Sequence, residues 1–185
     1  MTRTITRSYD TREDAETAVS RLETAGVPPE GISLVGRQPD TLEEGATSGA
    51  GVGGVVGGGA GLLAGLAALP VPGVGPVLAA GWLLGSTAVA ATAGAAAGSL
   101  IGALTGAGLS ESDAHYYAET IRRGGSIVTV RATDSHGAAI EKILDGAGPI
   151  DASARRAEYE RGGWTHFDER GGVYRSQSDL SGVVS

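Results

Sequence analysis

At 185 residues the chain has room for one modest domain together with a long insertion. The absence of cysteine excludes disulfides, thiolate catalysis and cysteine-ligated metals. A net charge of −7 gives little electrostatic support for nucleic-acid binding, and the opening residues contain no apolar stretch of the kind found in a signal peptide.

Residues 1–44 predict a β-α-β unit. The stretch Thr2–Tyr9 is rich in threonine and alternates in character, as a strand does. Asp10 is the expected N-cap of the helix that follows, and Gly26 is its expected end. A short second strand is predicted over 31–36. The apolar face of the helix comprises Ala15, Ala18, Val19, Leu22 and Ala25.

Residues 45–107 are an uncharged segment in which glycine recurs at every fourth position. Small residues with this spacing line one side of a helix and allow a second helix backbone to approach closely. A proline-rich turn separates two apolar arms, 47–69 and 77–107, so the segment predicts a long Gly/Ala-rich helical hairpin. The glycines assigned to helix packing are Gly49, Gly53, Gly57, Gly61, Gly65, Gly81, Gly85, Gly94, Gly98, Gly102 and Gly106.

The length and low charge of the two arms predict a pair of transmembrane helices. The first arm would extend about 35 Å as a helix, which is enough for a hydrocarbon core of about 30 Å. The glycine line winds around the helix, because a step of four residues exceeds one turn of about 3.6 residues. Part of the line would then face a second hairpin, which predicts homo-oligomerisation.

A second β-α-β unit is predicted to follow the hairpin, ending near residue 155. Ser110 and Asp113 form an N-cap pair for a helix that comes before the first strand of this unit. The β-branched stretch 126–132 is the strongest strand signal in the chain. A helix is expected over 134–145. A last strand is predicted from the alternation of Ile150, Ala152 and Ala154.

The order of these elements predicts an α+β, ferredoxin-like split β-α-β domain with a four-stranded antiparallel sheet. This domain would be discontinuous, comprising 1–44 and 108–155, with the helical hairpin of 45–107 inserted between its second and third strands. Residues 156–185 are charged and glycine-rich and predict a flexible tail. Its aromatic side chains either dock loosely or form a short recognition motif, and composition does not separate these alternatives.

Motifs for catalysis or cofactor binding do not stand out. The sequence GAGVGG at 49–54 matches a dinucleotide-binding fingerprint, but it lacks a preceding strand and an acidic residue about 20 positions further on. His115, His136 and His166 lack the spacing of metal ligands. Glu119 belongs to an acidic helix face, which we expect to be solvated. The sequence therefore predicts a protein that is not an enzyme and has no cofactor or metal.

Four segments have a character that is typical of one family: TITRSYDTREDAETAVSRLETAGVPPEGISLVGR, the glycine block, SIVTVRATDSHGAAIEKILDGAGPID and GGWTHFDERGGVYR. Together they resemble the bacterial general-stress (heat-induced stress) proteins that carry a glycine-zipper hairpin inside a small α/β domain. The resemblance covers nearly the whole chain. It implies association with stress and with a membrane, and it carries over no catalytic residues.

The sequence thus predicts a non-enzymatic, stress-associated membrane protein of the bacterial inner membrane, with both termini in the cytoplasm. The hairpin would anchor and oligomerise, while the α/β domain would bind a partner or assemble. Its expected partners are the lipid bilayer, further copies of the chain and an unidentified protein, but not nucleic acid. The alternative is a soluble homo-oligomeric assembly protein whose glycine-rich hairpins pack against each other without lipid.

Overall fold

The computed structural model describes residues 2–37, 67–71, 74–82, 100–168 and 170. Within them the chain has a mixed α/β fold, in which helices pack on an antiparallel sheet. The strands are β1 (Thr2–Tyr9), β2 (Ile32–Arg37), β3 (Ala67–Val71), β4 (Gly75–Gly81) and β5 (Ser126–Thr133). The helices are α1 (Arg12–Thr24), α2 (Leu100–Gly106), α3 (Glu111–Arg122), α4 (Asp134–Asp145) and α5 (Ala152–Arg161), with a 3₁₀ turn at Pro29–Gly31.

The sheet has the strand order β1–β5–β2–β4–β3, and every neighbouring pair is antiparallel. β1 pairs with β5 over its whole length, from Thr2 opposite Thr133 to Tyr9 opposite Ser126. β2 pairs with the other side of β5. β5 is therefore paired on both sides and covered on both faces, and its first five residues are all buried, including the polar Ser126 and Thr129. β1 is left at one edge of the sheet.

Helices α1 and α4 cover one face of the sheet and form the first hydrophobic core with it. Burying a Leu, Ile or Val side chain contributes roughly 1.5–3 kcal/mol, so this core supplies much of the stability of the domain. The predicted helix face is nearly all in place, except that Ala25 is exposed at the C-cap. The largest core residues are Ile5, Tyr9, Leu22, Ile32, Leu34, Val128, Val130, Ile140 and Leu144.

The opposite face of the sheet is covered by α2 and α3. The apolar part of this second core lies over β2, β4 and the start of β5. Over β1 the same face is polar: the Thr6 hydroxyl donates to the Thr129 hydroxyl over 3.2 Å, and the hydroxyls of Ser8 and Tyr116 lie 3.2 Å apart. Both pairs are buried, and each satisfies its own polar groups.

The predictions for β1, α1, β5 and α4 are confirmed, and those for β1 and α4 agree to the residue. The N-cap of α3 is also confirmed, since the Ser110 hydroxyl accepts the Asp113 N–H over 3.1 Å. The N-cap of α1 is one residue later than predicted. Thr11 caps the helix by accepting the Asp14 N–H over 3.1 Å, because Asp10 is turned towards Arg155 instead.

The helical hairpin predicted for 45–107 is wrong in part of its length. Residues 67–81 contain β3 and β4, which form a β-hairpin in which Pro70 lies opposite Pro76. Both prolines lie in the predicted turn between the arms, and the error concerns the residues that flank this turn, which pair as strands and do not form helices. Because β4 also pairs with β2, this part of the segment belongs to the sheet of the flanking domain. Residues 38–66, 72–73 and 83–99 lie outside the described residues.

None of the helices in the described ranges combines the length and the apolar character needed to cross a bilayer. Helix α2, which comes from the second predicted arm, has 7 residues, whereas a span needs about 20. This finding overturns the predicted pair of transmembrane helices. The predicted inner-membrane location, with both termini in the cytoplasm, is overturned with it.

The predicted last strand is also wrong, because the residues from Ala152 onwards form helix α5. The part of the tail up to residue 168 is packed rather than flexible: Tyr159 and Phe167 are both 3% exposed. The Tyr159 ring stacks at a tilt on Tyr116, and the Arg123 guanidinium lies 4.2 Å from its centroid. The remainder of the tail, beyond residue 170, lies outside the described residues.

Candidate functional site

The outer edge of β1 is the site at which the fold leaves backbone groups available. In an antiparallel pair, alternate residues exchange both hydrogen bonds with the neighbouring strand, and the residues between them point away from it. Ser8 belongs to the outward set, because its carbonyl accepts the Ile150 N–H over 2.7 Å. Thr2, Thr4 and Thr6 have the same parity, so their N–H and C=O groups also point outwards.

After this one backbone hydrogen bond the described chain turns away from the edge. The Asp151 carboxylate accepts the N–H groups of Ser153 and Ala154 over 2.9 and 3.0 Å, and so caps α5. Hydrogen bonds from the Ser153 hydroxyl and from these two amides lower the pKa of Asp151, which keeps the cap ionised. The N-cap starts a helix at the place where a strand would have continued along β1.

A cleft of about 400 Å³ lies beside this edge. Its lining includes Thr6 and Ser8 of β1, Tyr117 of α3 and Ile150 of the turn before α5. Asp145 lies at its rim, 54% exposed. The cleft therefore lies between β1 and the start of the segment, from Ile150 onwards, for which the sequence predicted a last strand.

Arg7 and Asp145 form an ion pair at the rim of the cleft. The Arg7 Nε donates to Asp145 Oδ1 over 2.7 Å, and its Nη1 donates to the Thr6 carbonyl over 3.1 Å. Partial burial alone would lower the pKa of Arg7, but the hydrogen bond and the charge of Asp145 outweigh it and raise the pKa. The ion pair therefore fixes the Arg7 guanidinium at the rim of the cleft.

Tyr117 closes the cleft from the side of α3. Its hydroxyl donates to the Thr6 carbonyl over 3.3 Å, a long hydrogen bond. Burial, with smaller contributions from Tyr116 and Asp113, raises the pKa of Tyr117 to about 12. At neutral pH this side chain is thus an uncharged donor held against the backbone edge.

The second ion pair along β1 keeps the outer part of the edge clear. Arg3 Nη2 lies 3.0 Å from Glu141 Oε1 on α4. A Cβ atom at Gly137 would collide with the Arg3 guanidinium, so glycine at this position allows the side chain to lie flat against α4. On the other face the Thr4 hydroxyl donates to the Ala107 carbonyl over 2.5 Å. These contacts hold both side chains away from the backbone edge.

Sequence reasoning did not identify Arg7, Tyr117 and Asp145. A signal was present in the charge pattern: Arg3 and Arg7 recur at a strand spacing that puts both on one face, and Glu141 and Asp145 recur at i, i+4 on a helix face. Sequence alone does not show that these two faces meet, because they lie more than a hundred residues apart in the chain.

The glycines predicted for helix packing lie in different kinds of structure. Gly81 lies at the end of strand β4, not on a helix. Gly102 and Gly106 lie in α2, and a Cβ at Gly106 would meet nothing within 4 Å. The others, Gly49, Gly53, Gly57, Gly61, Gly65, Gly85, Gly94 and Gly98, lie outside the described residues.

Two of the histidines that the sequence treats as scattered come together in the structure. The ring centroids of His115 and His166 are 6.2 Å apart, edge to face. The Phe167 N–H donates to His115 Nδ1 over 3.3 Å, which ties the end of the described chain to α3. Among the described residues no group of three or more His, Cys, Asp or Glu side chains is placed to hold a metal ion.

Comparison with known proteins gives no relative: no family model, no curated protein and no solved structure matches the chain. The resemblance to general-stress proteins therefore stays a prediction.

Proposed function

We propose that the chain is a non-enzymatic binding and assembly module whose β1 edge accepts an extended segment of another protein chain. The observation that carries this proposal is the edge position of β1 beside the cleft, where the outward N–H and C=O groups of Thr2 and Thr4 and the N–H of Thr6 have no partner among the described residues. An association with stress is part of the proposal on the strength of the sequence resemblance. So is a split β-α-β arrangement, which the order β1–β5–β2 with α1 and α4 on one face supports.

The edge of β1 has the properties of a strand-addition site. Folded proteins ordinarily blunt an exposed edge with proline, a bulge, an unpaired lysine or a covering loop. β1 has 8 residues in regular register with β5, and neither proline nor lysine occurs in it. Its two arginines are paired with α4. In strand addition, main-chain hydrogen bonds supply affinity and adjacent pockets supply specificity, and the cleft provides such a pocket.

Backbone hydrogen exchange tests the proposal on the full chain. The probe is an extended peptide selected for binding from a random display library, and the protein is also examined alone at rising concentration. We expect exchange at the amides of Thr2, Thr4 and Thr6 to slow by about tenfold or more in at least one series. Unchanged exchange at these amides in both series would overturn the proposal.

A proline substitution supplies the matched comparison. The Thr4 N–H points away from β5, so Thr4→Pro removes an edge donor without removing a β1–β5 hydrogen bond. Thr4→Val loses the same hydroxyl contact to Ala107 but keeps the N–H. We expect Thr4→Pro to weaken association about tenfold or more, which corresponds to about 1.4 kcal/mol. Thr4→Val should stay close to the parent protein.

A further inference from the structure

We propose that the segment added at the β1 edge is β1 of a second copy of this chain, arranged antiparallel about a two-fold axis at Thr4. This inference rests on the proposed function and names its partner. The two sheets would then join into one continuous sheet across the dimer, with the same surface used by both copies.

The free positions of the edge select this register. Ile150 occupies the Ser8 carbonyl, and Tyr117 and Arg7 donate to the Thr6 carbonyl, so the outward groups without a partner among the described residues are the N–H and C=O of Thr2 and Thr4 and the N–H of Thr6. An antiparallel arrangement with Thr4 opposite Thr4 of the second copy places Thr2 opposite Thr6, and uses all of these groups except the Thr2 N–H. It forms about four backbone hydrogen bonds: two between the Thr4 residues, and one from each Thr6 N–H to the Thr2 carbonyl of the other copy. The hydrogen bond from Ile150 remains in place.

The side chains on both faces are compatible with this pairing. On one face threonines lie opposite threonines, which are favourable cross-strand neighbours. On the other face Arg3 lies opposite Ile5 of the second copy, and neither side chain obstructs the pairing, because Arg3 is held against α4 and Ile5 is buried in the first core. The loop that contacts Thr4 consists of small residues at that point, Ala107 and Gly108, so it leaves room for an approaching strand.

Charge balance along the edge favours a second copy, although the chain as a whole carries a net charge of −7. Arg3 pairs with Glu141 and Arg7 pairs with Asp145, so the strip that two copies bring together is neutral. Like charges that face each other across strands are destabilising, and here each arginine already has its carboxylate. Two copies of β1 therefore meet without like-charge repulsion between their arginines.

Disulfide cross-linking tests this arrangement, because the chain has no cysteine of its own. In a Thr4→Cys variant the two Cα atoms would be about 5.5 Å apart across the axis, within the range of about 4.4–6.8 Å that a disulfide spans. The matched control is Thr2→Cys, on the same strand, the same face and more exposed. Its two copies would be about 14 Å apart, since four residues separate each from the other's partner.

Full-length variants are oxidised at low protein concentration, and the dimer is followed on non-reducing gels. We expect Thr4→Cys to form a disulfide-linked dimer at least about tenfold faster than Thr2→Cys. Equal rates, or a faster reaction of the more exposed Thr2→Cys, would overturn the inference. Sedimentation provides a second readout that needs no thiol: Thr4→Val should dimerise and Thr4→Pro should not.

The outcomes separate this inference from the proposed function. If the edge amides become protected only with the display-selected peptide, and Thr4→Cys does not cross-link selectively, the edge accepts a foreign strand and the second copy is excluded. If the edge amides are unprotected in every series, the proposed function itself fails.

Discussion

Tyr117, which lines the cleft, makes the stability of the fold depend on pH. Its hydroxyl donates to the Thr6 carbonyl and the side chain is largely buried, so the folded protein favours the neutral phenol over the phenolate. The pKa of Tyr117 is about 12 in the folded protein, compared with 10.0 for a free tyrosine. Burial also raises the pKa of Tyr9 and of Tyr116, in the same direction.

The sign of the resulting pH dependence follows from these values. Between pH 10 and 12 the unfolded chain has released the Tyr117 proton and the folded protein has kept it. The stabilisation is therefore fully present below pH 10 and is lost as the pH rises through 12. We expect Tyr117→Phe to cost about 1 kcal/mol at neutral pH, because it removes one hydrogen bond.

In alkali the order of the two stabilities should reverse, because Tyr117→Phe has no phenol proton to lose at this position. Urea denaturation at several pH values gives the free energy of unfolding of the parent and of the variant. The remaining tyrosines are the same in both proteins, so the difference between the two curves reports on Tyr117. Above pH 10 the free energy of unfolding of the parent should fall to that of Tyr117→Phe and then below it. Two curves that stay parallel through this window would contradict the placement of Tyr117.

Single residues show where sequence reasoning about the site reaches its limit. Glu119 reads as part of a solvated acidic face, but its side chain is fully buried, with Arg122 Nη2 and Arg123 Nε each 2.6 Å from its carboxylate. The i, i+3 and i, i+4 spacing of these arginines was visible in the sequence. What buries the group is tertiary packing, which no local pattern records.

At the scale of elements, prediction succeeded where one signal dominates. β5 is dense in β-branched residues, and α1 and α4 each have an apolar stripe of helical period, so all three formed as expected. The strand predicted from Ile150 rested on three weakly apolar positions. The cap at Asp151 outweighed that alternation, because a capping side chain satisfies helix donors directly.

The hairpin of 67–81 could not be predicted from glycine spacing, since small residues at every fourth position suit a helix and also occur by chance in a glycine-rich segment. The decisive information is in the pairing partner β2. That partner lies thirty or more residues away in the sequence, and local periodicity contains no information about it.

Two glycines of the predicted helical hairpin of 45–107, Gly81 and Gly106, give a test at the scale of elements. Gly81 has φ of +93°, and a Cβ there would lie 2.1 Å from the Ile32 carbonyl oxygen. We expect Gly81→Ala to destabilise by at least about 2 kcal/mol, through strain and the collision. Gly106 ends α2 with open space around it, so Gly106→Ala should be neutral or stabilise by up to about 1 kcal/mol.

Thermal or urea unfolding of the two alanine variants distinguishes the alternatives. If Gly106→Ala destabilised as strongly as Gly81→Ala, Gly106 would lie in a close helix contact, as its spacing in the sequence suggested. A harmless Gly81→Ala would contradict the strand pairing of β4 with β2.

At the scale of the whole molecule, β5 connects parts of the chain that the sequence assigned to different units. It pairs with β1 on one side and β2 on the other, and β2 in turn holds β4 and β3. Both hydrophobic cores include residues of β5, one on each face. A change that releases this strand therefore exposes both cores, and the described part of the chain should unfold as one cooperative unit.

The two tryptophans report on opposite ends of this arrangement. Trp82 follows β4, where its Nε1 donates to the Gly31 carbonyl over 3.1 Å and Arg131 stacks on its ring. Trp164 follows α5 and packs edge to face against Tyr159. Replacing one or the other by phenylalanine leaves a single fluorescent probe for each end.

We expect urea unfolding of Trp82→Phe and Trp164→Phe, each followed by the fluorescence of the remaining tryptophan, to coincide with unfolding of the same variant followed by circular dichroism. Coincidence of probes is the test of a two-state transition, and here it would show that the β3–β4 hairpin and α5 melt together with the central strand. An earlier transition of Trp82 alone would mean that the hairpin is a separate, weaker unit attached to β2. In that case β2 would open a second sheet edge at low denaturant, and the chain would have two strand-addition sites instead of the one on β1.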